Sequence, residues 1–225
     1  MSIEKKKVSL EEYLDNVLAE ISSKNLTAAE ADDYSEDIID QIEDKYNLFG
    51  EEGEPKIAEN YMIEKISNVF DVLLARGLDV NSDSDKNALS SCIWIENEDI
   101  AVMLAKKFLE HGANPNLKLT CDGGESLHDY MNACIGYNRF DDDGFMKIWL
   151  LLIAYGGCYE NGETCLEMLN GNSAEIFKNI YDFGLRRERD ANGSRVMYFY
   201  NTSTNEDVAL YYTLFSDEVM ILLSW

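Results

Sequence analysis

Three times along this chain an apolar helical stretch runs into a glycine: Phe70-Asp71-Val72-Leu73-Leu74-Ala75-Arg76-Gly77-Leu78-Asp79-Val80-Asn81, Lys107-Phe108-Leu109-Glu110-His111-Gly112-Ala113-Asn114-Pro115-Asn116, and Leu150-Leu151-Leu152-Ile153-Ala154-Tyr155-Gly156-Gly157. A glycine just past the last helical turn takes the left-handed conformation without a Cβ penalty, so it stops the helix and turns the chain. The Asn, Asp and Pro that follow suit a tight turn. The step is 35 residues from Gly77 to Gly112 and 44 from Gly112 to Gly156, with a weaker fourth copy, Ile180-Tyr181-Asp182-Phe183-Gly184, 28 residues further on. Recurrence at such a period constrains the fold strongly. Each unit is a supersecondary element too small to bury its own apolar face, and it gains a core only by packing on its neighbours.

The second copy is similar to the segment that closes an ankyrin helix pair, and the first matches it nearly as well; about 33 residues is the ankyrin period. Upstream, Ser126-Leu127-His128 and Thr164-Cys165-Leu166 resemble in part the Thr-Pro-Leu-His start of the first ankyrin helix, and Asn87-Ala88-Leu89-Ser90 does so more loosely. The resemblance covers roughly residues 56–190. It places an enlarged loop at Gly136–Gly144 and implies a mainly α, ankyrin-like helix-pair solenoid.

Before the repeats lies a helical segment, residues 1–55. Ser9-Leu10-Glu11-Glu12 has capping-box spacing ahead of a face of Tyr13, Leu14, Val17, Leu18 and Ile21, which predicts a helix over about 9–22. Thr27-Ala28-Ala29-Glu30 repeats the signal before Tyr34, Ile38, Ile42 and Tyr46, whose steps of four suit a helix ending near Asn47. Asp33, Glu36, Asp37, Asp40 and Asp44 share the other side of this second helix. With 16 acids against 5 lysines, residues 1–55 carry a balance of −11. Such a surface is read either as a solvated face or as a docking face for a basic partner.

Past Gly184 the helical pattern fails. Arg195–Tyr200 and Val208–Thr213 are rich in aromatic and β-branched residues and are separated by a polar stretch, which predicts a β-hairpin. Residues 191–225, with the apolar run Val219–Leu223, are expected to cap the stack as a hairpin or as one more degenerate repeat.

The whole chain holds 43 acidic and 19 basic residues, a net charge of −24. That charge opposes phosphate backbones and anionic membranes, so nucleic-acid binding is not expected. The basic triplet Lys5-Lys6-Lys7 has no apolar stretch after it, and nowhere do about 18 apolar residues run together, so neither an export signal nor a membrane span is predicted. Cys92, Cys121, Cys134, Cys158 and Cys165 form no C-x-x-C pair and are read as reduced thiols of a cytoplasmic protein.

Chemistry finds little to stand on. Both histidines occupy slots that the repeat explains, His111 beside a C-terminal glycine and His128 in a helix start. None is left for a Ser-His-Asp, Cys-His or zinc arrangement. Asp79–Asp83 opens like a calcium loop, but Ser84 stands in place of its turn glycine and Ser90 in place of its bidentate Glu. Gly123-Gly124 and Gly50–Gly53 lack the other residues of a phosphate cradle, and Asp141-Asp142-Asp143-Gly144 reads as a wet loop. No catalytic residue, metal or cofactor is expected.

The resemblance implies a protein-binding surface made of finger tips and the open side of each inner helix. Mapped onto this chain, the finger positions are Asp83, Asp85, Asp122 and Glu125, and the inner-helix positions are Ser91, Trp94, Ile95, Asp129, Asn132 and Met168. Acids around a few apolar anchors suit a basic protein partner. Small acidic chains with degenerate ankyrin repeats are also similar to immunity proteins of bacterial polymorphic-toxin systems, which neutralise a toxin domain by direct binding. The competing readings are a scaffold or adaptor with no toxin partner and an enzyme whose site carries no recognisable motif.

Overall fold

A computed structural model of the chain describes residues 9–46, 60–82, 87–118, 127, 131, 143–157, 178, 183–189, 195–201, 207–215 and 218–224. These residues are mainly helical, and the chain divides into two compact units, Met1–Leu104 and Ala105–Trp225. The helices are α1 (Leu10–Ser23), α2 (Ala28–Tyr46), α3 (Asn60–Ala75), the short α4 (Ala88–Ser91) running into a 3-10 turn (Cys92–Trp94), α5 (Glu98–Glu110) and α6 (Asp143–Ala154).

In the first unit the helix starts are set by local chemistry. The Ser9 hydroxyl accepts the Glu12 N–H at 3.1 Å and so satisfies one of the free donors at the start of α1. At α2 the capping is reciprocal: Thr27 Oγ1 accepts the Glu30 N–H at 3.3 Å, and the Glu30 carboxylate accepts the Thr27 N–H at 2.8 Å. α1 packs on α3, and α2 packs on α1, α3 and α4. The core between them takes Leu14 and Ile21 from α1, Ile38 and Ile42 from α2, Ile66, Phe70 and Leu73 from α3, and Leu89, all fully buried. Each contributes about 1.5–3 kcal/mol of apolar burial. The buried face of α2 is centred on Ala31, Ser35, Ile38, Ile39 and Ile42, and Tyr34, expected on that face, is only half-buried.

Two basic side chains fasten α1 to α3, one from the first half of the helix and one just past its end. The Arg76 guanidinium donates to the carbonyls of Ser22 at 2.9 Å and Lys24 at 2.6 Å, where α1 has run out of intrahelical donors for its last carbonyls. Lys65 sits 2.6 Å from Asp15 and 3.5 Å from Glu11.

The helix ends repeat one arrangement. After α3, the Leu78 N–H bonds to the Leu73 carbonyl at 3.0 Å and the Gly77 N–H to that of Leu74 at 3.2 Å. After α5, Ala113 bonds to Phe108 and Gly112 to Leu109, each at 3.0 Å; after α6, Gly157 bonds to Leu152 at 2.7 Å and Gly156 to Ile153 at 3.0 Å. Gly77, Gly112 and Gly156 have φ of 100°, 88° and 97°, so all three ends are Schellman motifs. The next residues match as well. Asp79 Oδ1 accepts the Asn81 N–H at 3.0 Å, and Asn114 Oδ1 accepts the Asn116 N–H at 2.9 Å, a side-chain-closed turn in both places.

In the second unit α6 is buried from Gly144 to Ala154, Lys147 included, as a helix apolar on nearly every side must be. Residues 183–224 form a four-stranded antiparallel meander in the order β1 (Phe183–Arg189), β2 (Arg195–Asn201), β3 (Asp207–Phe215), β4 (Glu218–Ser224). Val196 pairs with Tyr211, and Leu210 with Leu223. This corrects the fourth glycine turn. Gly184 lies within β1, opposite Tyr200, and a Cβ on it would collide with the Tyr200 ring. The glycine there admits a cross-strand aromatic ring and ends no helix.

Candidate interaction surface

Trp94 is the expected contact residue that the described structure exposes, at 49%. It ends the 3-10 turn after α4, and Asn87 sets the position of that turn. The Asn87 amide is buried; its oxygen accepts the Leu89 N–H at 2.9 Å, and its nitrogen donates to the carbonyls of Val80 and Ser82, both at 3.1 Å. One side chain therefore caps α4 and fixes it to the turn that follows α3.

Ser91 and Ile95, expected to face a partner, are buried at 8% and 6% exposure. All four residues of α4 are enclosed, Ser91 among them. At Cys92 the chain tightens to 3-10 geometry and then becomes extended at Ile95, which turns Trp94 outward and Ile95 inward. Asp83, Asp85, Asp122, Glu125, Asp129, Asn132 and Met168 lie outside the described residues, as do His128 and the enlarged loop up to Asp142. His111 is exposed, with its ring Nδ1 2.8 Å from the Lys107 carbonyl.

The acidic side of α2 faces solvent. Asp33, Asp37 and Asp44 are exposed, and Glu36 and Asp40 are half-buried. Beside it is a feature that the sequence reading did not find. A cleft of about 60 Å³ is bounded by Asp32, Asp33, Ser35 and Glu36 of α2, by Leu78, Asp79 and Ser82 of the turn after α3, and by Ala88 of α4. No basic residue is among these eight. The Asp32 carboxylate bridges to the turn by accepting the Asp79 N–H at 3.1 Å. Burial pushes the Asp32 carboxyl above its usual range; the bond from Asp79 opposes the shift, and the charges of Asp79 and Asp33 reinforce it. Its two walls are 47 residues apart in sequence, and no local motif announces their meeting.

Cys92 is fully buried, and burial drives its thiol well above the ordinary range, which makes it a packing residue and a poor nucleophile. Among the described residues no group of three or more His, Cys, Asp or Glu side chains could hold a metal ion, and no helix is long and apolar enough to cross a membrane. No protein-family model, no curated protein and no solved structure matches the chain.

Proposed function

We propose that this chain is a protein-binding module that recognises a basic protein partner, and that the partner is a toxin domain which the chain neutralises as an immunity protein. On this reading the helices form an ankyrin-like helix-pair solenoid, the sheet at 183–224 caps it, and no residue is catalytic. Support for the repeat comes from the three Schellman ends and the two matching Asx turns. The observation that carries the partner's chemistry is the row of solvent-facing carboxylates along α2 in a chain of net charge −24. Such a field attracts a cationic protein from a distance, while an exposed indole such as Trp94 supplies the kind of aromatic anchor on which interface energy concentrates. Asp83, Asp85, Asp122, Glu125 and Asp129 are proposed as further acidic contacts for that partner.

Binding kinetics against the basic product of a neighbouring gene test the reading. Association should slow as salt rises, and Asp37→Lys with Asp44→Lys should slow it further. Trp94→Ala should mainly speed dissociation, about tenfold for each 1.4 kcal/mol lost. An association rate indifferent to salt, or no binding to any cationic neighbour, would leave the acidity as a solubility device.

A further inference from the structure

The two outer strands of the antiparallel meander are unlike each other. In the order β1-β2-β3-β4 both β1 and β4 have one neighbour, and among the described residues no strand lies on the far side of either. An outer strand presents a row of backbone N–H and C=O groups that a further strand can pair with, and folds guard such edges with charged residues. β1 is guarded: Arg186, Arg187, Glu188 and Arg189 fill its second half. β4 is not. After Glu218 it reads Val219-Met220-Ile221-Leu222-Leu223, apolar at odd and even positions alike and so on both faces of the strand. A five-residue apolar run with no charge and no proline is the pattern that takes up another strand when it stands at an edge.

We propose that β4 is a dimerisation strand, pairing antiparallel with β4 of a second copy of this chain about a two-fold axis at its middle residue, Ile221, so that two four-stranded sheets become one of eight strands. The strand is complementary to itself in that register. Val219 meets the second copy's Leu223, Met220 its Leu222, and Glu218 its Ser224. Charge allows the contact. The two Glu218 positions stand at opposite ends of the seven-residue ladder, about 20 Å apart at about 3.4 Å per residue, beyond the Debye length of about 8 Å at physiological salt. The same pairing at β1 would set Arg186 against Arg186, like charges directly opposite. The choice of edge also sets the size of the assembly. A two-fold pairing uses up the open edge of each copy and leaves a charged β1 at both rims of the larger sheet, so growth stops at two. Pairing through β4 is independent of any basic partner.

The test uses the full chain alone. In sedimentation from micromolar to millimolar concentration, the mass should rise from 25.6 kDa to twice that and no further. Because two chains of net charge −24 repel one another, the dimer should strengthen as salt rises, the reverse of what is expected for binding to a cationic protein. Amide exchange should slow at alternate residues of 218–224 as concentration increases, with 183–189 unchanged. Ile221→Lys and Ile221→Asp each put like charges on the axis and should weaken dimerisation about fivefold or more, whereas an equal mixture of the two variants should restore it, because the axis then joins a lysine to an aspartate. Recovery in the mixture also shows that both variants fold; if either does not, the exchange measurement on the unaltered chain decides. A mass of 25.6 kDa at every concentration, a mass that grows past the dimer, dimerisation unaffected by either substitution, or concentration-dependent protection in 183–189 in place of 218–224 would each overturn the proposal. So would protection of 218–224 that arises only when a cationic protein is added, which would assign the edge to that protein.

Discussion

At Gly77 the backbone sits at φ 100° with open space where a Cβ would stand, whereas at Gly184 the backbone is an ordinary strand and the space is filled by the Tyr200 ring. Alanine should therefore fail at the two positions for different reasons. Gly77→Ala is expected to cost about 1 kcal/mol through backbone strain, whatever its neighbours. Gly184→Ala is expected to cost about as much by displacing an aromatic cover, and that cost should vanish in a Tyr200→Ala background, a coupling that a double-mutant cycle of denaturation midpoints reads directly. Leu109, 3% exposed in α5, carries a plainer expectation: Leu109→Ala should destabilise by roughly 2–5 kcal/mol in chemical denaturation. Tyr13 gives a pH signature. Burial first, then the charges of Asp37, Tyr34 and Asp40, push its phenol up from 10.0 to about 12. A raised phenol pKa means that the fold favours the neutral form. The corresponding stability is complete below pH 10 and is lost as pH climbs toward 12. Tyr13→Phe should flatten that part of the alkaline stability profile.

Among the elements, α1 depends on a side chain borrowed from the end of α3. Arg76→Ala removes both charge-assisted bonds to the Ser22 and Lys24 carbonyls and should cost about 1–2 kcal/mol, with amide exchange quickening first in the last turn of α1. Arg76→Lys should recover only part, since one ammonium cannot reproduce the fork. The features legible in the sequence were those whose physics is local. Ser9 and Thr27 announced α1 and α2 because a cap needs only three residues of chain, and Gly77, Gly112 and Gly156 announced helix ends because a left-handed φ needs only a glycine. Gly184 was misread for the same reason. Its signal is a weaker copy of the others in sequence, and the partner strand bearing Tyr200 is what sets it apart. Ser91 and Ile95 were misplaced because a four-residue helix passing into 3-10 geometry has no period long enough to extrapolate. The acidic cleft joins Asp32 to Asp79 across 47 residues and was invisible on that account.

At the scale of the whole molecule, the charge acts on the fold as well as on any partner. A net −24 in 225 residues repels itself, and screening relieves that repulsion, so the melting temperature should rise between about 10 mM and 200 mM salt, the range over which the Debye length shrinks from roughly 30 Å to below 10 Å. The rise should be absent near the isoelectric point of about 4.2, where solubility should pass through its minimum. A melting temperature unaffected by salt at neutral pH would show that the carboxylates are spaced widely enough to be energetically independent.

The matched exits from α3 and α5 make those two turns interchangeable parts. Both chains leave the helix through the same pair of backbone bonds, pass a glycine of the same hand, and close the next turn on an Asp or Asn side chain. A graft of residues 112–117 in place of 77–82 should be accepted by the backbone with little rearrangement. What the transplant would lose is the Asp79 carboxylate and the Ser82 hydroxyl, while the N–H at position 79 would still reach Asp32, so one exchange of six residues would keep the scaffold and strip the charge from one wall of the acidic cleft.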